Sequence, residues 1–179
     1  MSKRRLVLCT VLIIFAAGCG YSTRSLLSSS YTSIYVDSIT NKIKVAAEQS
    51  DVRMYRGYRP GLEAAVTKAI IDKFLFDGNL RIAKPENASL ILKGTLVDFR
   101  KEPLRYDAND NIEEFRIIAV VDIYLEDPKT GKALWKENGF SGEATYRTSG
   151  SLSKSESAAV DDAVGDLARR VVERTVEGW

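Results

Sequence analysis

Side chains able to do bond chemistry are scarce in this chain. No histidine occurs among its 179 residues, and the two cysteines, Cys9 and Cys19, both lie near its start. Ser-His-Asp and Cys-His catalysis are therefore excluded, as are zinc sites built from histidine and cysteine. An enzyme made from this chain would have to use carboxylates, lysine or tyrosine. Asp107-Ala108-Asn109-Asp110-Asn111 has the oxygen density of a calcium loop. It lacks the central glycine and the closing bidentate glutamate at EF-hand spacing, so it reads as a turn rich in Asn and Asp. Glu113, Glu114, Asp122 and Glu126 could be imagined as an acid/base pair. Alternation along a strand scatters them, and a polar outer face explains them better.

What remains suits binding. Arg53, Met54, Tyr55, Arg56, Tyr58 and Arg59 set arginines among aromatics, a composition favoured at protein interfaces. The competing reading is a loop pinned to its own domain by the tyrosines. If the interface reading holds, Arg56→Glu or Tyr55→Ala lowers partner or lipid binding and leaves the thermal midpoint alone.

The first residues set the compartment. Lys3, Arg4 and Arg5 precede an apolar run from Leu6 to Ala17, and Ala16-Ala17-Gly18 brings small residues up to Cys19. That is the layout of a secretory signal, and a run of about a dozen residues is too short for a bilayer span, which takes roughly twenty. Ala16-Ala17-Gly18-Cys19 resembles the lipobox of bacterial lipoproteins, where the chain is cut before a cysteine carrying a diacylglycerol thioether. The resemblance implies a signal peptide over 1–18, lipid on Cys19 as the only covalent group, and no other cofactor. The alternative, an ordinary signal peptide cut nearby, would leave Cys19 a thiol. Gly20 stands where an Asp would signal inner-membrane retention, which favours the outer membrane.

Cleavage removes Cys9 and three positive charges, turning 26 basic against 24 acidic residues into 23 against 24. A nearly neutral domain gives nucleic-acid binding no support. With no thiol left to pair, the domain is held by its core alone.

These residues must be positioned by a single domain over 32–179, joined to Cys19 by a Ser- and Thr-rich tether over 19–31. A first strand is expected from Thr32, with Ile34, Val36 and Ser38 on one side and Tyr35, Asp37 and Ile39 on the other. Residues 41–58 have no clear period and are expected to form a long loop with room for a short helical or strand segment. Pro60 suits the first turn of a helix whose stripe is Leu62, Ala65, Val66, Ala69, Ile70 and Phe74, stopped by Asp77-Gly78-Asn79. Strands are expected at Leu80–Ala83 and at Leu90–Lys101, the latter with Ile91, Val97 and Phe99 sharing a parity. From Arg116 to Glu126 the apolar residues are all odd: Ile117, Ala119, Val121, Ile123 and Leu125. Asp127-Pro128-Lys129-Thr130-Gly131 turns that strand into a partner over Ala133–Phe140. Ser153 to Glu156 suggests a capping box for a last helix with Val160, Ala163, Val164, Leu167, Ala168 and Val171 as its stripe. Two amphipathic helices on one face of a mixed, mainly antiparallel sheet of four to five strands make an α+β two-layer sandwich.

Taken together, several segments resemble the lipopolysaccharide-assembly lipoprotein (LptE) family. They are the lipobox followed by Gly20-Tyr21, the strand near Ile34-Tyr35-Val36, and the Ala-rich helix after Arg59-Pro60. Ala88-Ser89-Leu90-Ile91-Leu92-Lys93-Gly94-Thr95-Leu96 and the hairpin ending in Leu134-Trp135 complete the set. The resemblance implies a non-enzymatic, outer-membrane-anchored lipoprotein. It would sit as a plug in the large β-barrel lipopolysaccharide translocon (LptD), bind lipopolysaccharide and help the barrel assemble. A different binding role, activating a peptidoglycan synthase or another envelope complex, would use a similar domain on a longer tether. A lipopolysaccharide binder needs Lys or Arg near exposed apolar surface. The region around Arg100, Lys101, Arg105 and Arg116 is the candidate, although pairing with Glu102, Glu113 and Glu114 would make it an ordinary solvated strand end.

Overall fold

The computed structural model describes residues 30–43, 49–50 and 55–177. The signal segment, Cys19, most of the tether and Arg53 lie outside the described residues. Eight strands and two α-helices are present among those described: β1 Ser33–Val36, β2 Thr40–Asn41, β3 Gln49–Ser50, β4 Tyr55–Arg56, α1 Leu62–Asp77, β5 Arg81–Ile82, β6 Leu90–Tyr106, β7 Ile112–Asp127, β8 Lys132–Arg147 and α2 Glu156–Glu177.

Three long antiparallel strands, β6, β7 and β8, form the floor. The other edge of β6 is shared by three short strands in succession. β1 and β2 pair in parallel at Leu90–Leu92 and Thr95–Leu96, and β4 pairs antiparallel at Arg100–Lys101. β5 continues beyond β1, and β3 beyond β4. This sharing makes the sheet mixed and gives it more strands than the four or five expected. The two-layer α+β architecture is as expected.

Both helices cover one face of the sheet. Their stripes are Leu62, Val66, Ile70 and Phe74 on α1 and Ala159 through Val176 on α2, packed on the odd residues of β7, whose exposure is 1 % or less from Ile117 to Leu125. Burying each such aliphatic side chain stabilises the fold by roughly 1.5–3 kcal/mol, so period two in the sequence and the position of the core have one cause.

Local departures from the expected pattern have physical reasons. Along β6 the inward residues are Leu90, Leu92 and Leu96, not Ile91 and Val97; a bulge between Leu96 and Asp98 inserts Val97 and switches parity, so that Phe99 turns inward. Ile39, expected to face away from the core, is buried because β1 ends at Val36, and its N–H donates to the Thr67 hydroxyl of α1. Pro60 precedes α1 instead of opening it, in a turn closed by Gly61 at φ 81°. The last strand, expected to end at Phe140, continues as β8 to Arg147. Ser155, not Ser153, caps α2, its hydroxyl accepting from the N–H of Ala158.

The free edge of β8 is covered by its own helix. Glu143 N–H donates to Asp166 Oδ2 at 3.1 Å, and Arg170 donates to the carbonyl of Ser141. On the far side, β6 runs past the end of β4 with Pro103, which presents no N–H along that open stretch.

Candidate functional site

The face of the sheet away from the helices is built of charge. The same bulge that turns Phe99 inward aims Asp98, Arg100 and Glu102 outward, beside Ile118 and Arg116 of β7. β4 pairs Arg56 with Arg100, so one arginine from the loop cluster and two from the strand cluster converge on one surface. Arg56 holds Asp98 through two hydrogen bonds of 3.0 and 3.2 Å. Arg100 lies between Asp98 and Glu102 at 3.3 and 3.4 Å, and Arg116 is 3.8 Å from Glu143 of β8. Arg105, nearer the β6–β7 tip, is 3.6 Å from Glu114. Ile118 is only 8 % exposed although it faces this side, cross-strand from Arg100 and beside the stems of the long side chains.

Lys101 and Tyr55 belong to the opposite face. Lys101 Nζ reaches Glu156 Oε2 at 2.9 Å and lies 5.1 Å from the ring centroid of Phe115. Glu156 also accepts from Arg59 at 3.2 Å and from the Tyr146 hydroxyl at 3.4 Å, so one carboxylate ties β6, the loop before α1 and β8 to the start of α2. Tyr55 packs edge-on against Phe99 at 6.1 Å, and its hydroxyl donates to the carbonyl of Tyr58. The pinned-loop reading therefore describes Tyr55, and the expected unchanged midpoint for its truncation is replaced. Tyr55→Ala should lower stability by about 2 kcal/mol, whereas Arg56→Glu, at the exposed end of an ion pair, should cost about 1 kcal/mol or less; thermal melts of the two variants test the difference.

A family model described as lipopolysaccharide-assembly, LptE, matches residues 31–175, nearly the whole described domain. The chain belongs to the LptE family. No curated protein matches it. Among solved structures, a protein from Xanthomonas campestris is similar at 10 % identity over 86 % of this chain and 90 % of its own, with a TM-score of 0.51. A hypothetical protein from Chlamydia trachomatis is similar at 11 % identity over 81 % and 95 %, with a TM-score of 0.50. At these identities the likeness concerns the fold alone.

For an LptE-family domain, the chemistry on offer is electrostatic. Among the described residues no cluster of His, Cys, Asp and Glu could hold a metal ion. An open, largely apolar cavity of about 330 Å³ between α1 and the start of β2 is lined by Ile39, Glu63, Thr67, Lys68 and Ile71 among others. The Thr67 hydroxyl there is already committed, donating to the Glu63 carbonyl and accepting from Ile39 N–H. Asp107 accepts from the N–H groups of Asn111 and Asn109 and from the Asn111 side chain, which hold its carboxyl below the usual range and close the β6–β7 turn. The arginine row can do more. Each guanidinium is paired to a carboxylate in a half-exposed setting, where an ion pair is worth about 1 kcal/mol or less, so a phosphate offering bidentate bonds can displace it at little cost.

Glu156 is the site residue that sequence reasoning missed, because it was spent on a capping box. Burial alone would raise its pKa, but the hydrogen bond and charge of Lys101, then the charge of Arg59, hold it below its ordinary 4.5. A carboxylate with a depressed folded value adds stability above its unfolded value and loses that contribution as pH falls through the folded one. Burial, then the Glu156 charge, pushes the Tyr146 hydroxyl up to about 12 from 10.0, so stability also falls as pH rises between those values. Glu156→Gln should flatten the acid limb of a stability-against-pH curve below 4.5 and shrink the alkaline limb; an unchanged curve would contradict both assignments.

Proposed function

We propose that this chain is a lipid-anchored partner of the large outer-membrane β-barrel that exports lipopolysaccharide, acting by surface complementarity and not by bond chemistry. The observation that carries the reading is the family match over residues 31–175. The shape supports it. The described chain begins beside the β7–β8 turn, where the Tyr31 hydroxyl donates to Asp127 Oδ2, while the β6–β7 tip at Asp107–Asn111 lies at the other end of strands of 16 or 17 residues. At about 3.3 Å per residue those strands are roughly 50 Å long, enough to carry a tip deep into a barrel whose rim lies at the membrane. The outer-face arginines Arg56, Arg100 and Arg116 then meet lipopolysaccharide phosphates along the way.

Photocrosslinking from position 109 at the tip and position 100 on the outer face, in intact cells, tests the assignment. Capture of a large outer-membrane barrel at position 109 is the expected result. Capture of a peptidoglycan synthase in its place would transfer the domain to the other envelope role. A paired Arg100→Glu and Arg116→Glu variant should also recover less lipopolysaccharide while keeping its fold.

A further inference from the structure

The last turn of α1 ends on two adjacent apolar side chains in water, Leu75 at 63 % and Phe76 at 85 % exposure. Lys73 Nζ stands 5.2 Å from the Phe76 ring centroid. A scattered exposed leucine needs no explanation, but the place of this pair does. Arg81, four residues past the end of α1, donates its N–H to the carbonyl of Thr32 at 3.1 Å. Tyr31 reaches the β7–β8 turn through Asp127, and that turn exposes Lys129 and Lys132. The end of α1, the lysine-bearing turn and the point where the chain arrives from Cys19 are therefore one end of the domain. Ten residues separate Cys19 from Ser30. A chain of that length spans about 40 Å at most, however it is folded. A lipid on Cys19 would hold this end, and not the tip, close to the bilayer.

We propose that Leu75 and Phe76 enter the phospholipid surface on which the chain is anchored, with Lys73, Lys129 and Lys132 over the lipid phosphates, so that the lipoprotein, before it enters a barrel, rests on the membrane with this end down and its tip in water. The inference rests on the lipid-anchor reading. The occupant is lipid because the tether delivers this end to lipid before any protein, and because an apolar pair with Lys73 beside it, at the end that also exposes Lys129 and Lys132, matches an acyl region under anionic headgroups.

The test uses the mature lipoprotein in vesicles of phosphatidylethanolamine and phosphatidylglycerol. With Cys9 removed and Cys19 acylated, an introduced cysteine is the sole thiol, so Asn79→Cys and, separately, Asn109→Cys can each carry a nitroxide. At position 79 collisions with oxygen should exceed those with a water-soluble nickel chelate, with the reverse at position 109. Adding L75E with F76E should return position 79 to the water-like pattern without moving the thermal midpoint, since both side chains are exposed. A lipidated, vesicle-bound protein with position 79 in water overturns the proposal alone. So does a position 79 that is shielded only when another envelope protein is added, which would make the patch a protein interface. A chain whose mass shows no lipid and which does not float with vesicles overturns the anchor reading together with it.

Discussion

Gly142→Ala should lower the thermal midpoint by about 10 °C, the largest loss expected from adding one methyl group to this chain. A Cβ at Gly142 would stand 2.3 Å from Leu167 N and 2.5 Å from Ala163 O, both backbone atoms of α2. Nothing there can rotate aside. Ala119 pairs with Gly142 across the sheet and Ala163 lies above it, so α2 crosses β8 where three small residues meet and its backbone seats directly on the strand. Admitting the methyl group means lifting the helix off Leu167, Val164 and the odd face of β7. Overpacking of that kind costs about 3 kcal/mol, and for a domain of this size each kcal/mol moves the midpoint by roughly 2–4 °C. Gly94 provides the comparison. Its missing side chain is replaced by Ile39 Cδ1, 2.5 Å from an ideal Cβ, but that atom ends a side chain that can turn. Gly94→Ala should cost about 1 kcal/mol, and equal losses for the two variants would show that α2 is not held by its approach to β8.

In cells depleted of the partner barrel, replacing Cys19 with alanine should remove the protein from the outer membrane altogether. Without the thiol there is no site for lipid, and none of the described helices is long and apolar enough to cross a bilayer. Other attractions are small. Cut before Cys19, the chain would carry 23 basic against 24 acidic residues, so its net charge draws it to no membrane, and Leu75 with Phe76 and their few lysines contribute far less than acyl chains at about 0.8 kcal/mol per buried CH₂. Intact-mass measurement should find lipid on the native N-terminus, and fractionation should find the variant either uncut with the inner membrane or free in the periplasm. A Cys19→Ala chain that still sediments with the outer membrane of those cells would sink the proposed mode of attachment.

Much of the architecture could be read from the chain. The alternation from Ile117 to Leu125, the stripe from Val160 to Val171 and the Leu62, Val66, Ile70, Phe74 series each became a buried face, because burial of side chains on a regular element forces its period onto the sequence. The short turn at Asp127–Gly131 was equally plain, Gly131 taking φ 66°. The parity of β6 was misread because a bulge leaves little mark in sequence: Val97 is as apolar as its neighbours, and only pairing with β7 shows it to be the extra residue.

The arginines divide along the same line. By itself the sequence determined that the domain lacks histidine, that its charges nearly cancel, that two helices and a strand-rich segment need one shared core, and that arginine recurs near 56 and near 100–116. These follow from composition and local period. Only the tertiary structure decided that Arg56, Arg100 and Arg116 share one face while Lys101 crosses to the other to hold Glu156. The reason is physical: neighbours along a strand point to opposite sides, and residues forty positions apart become neighbours only when the edge of β6 accepts β4.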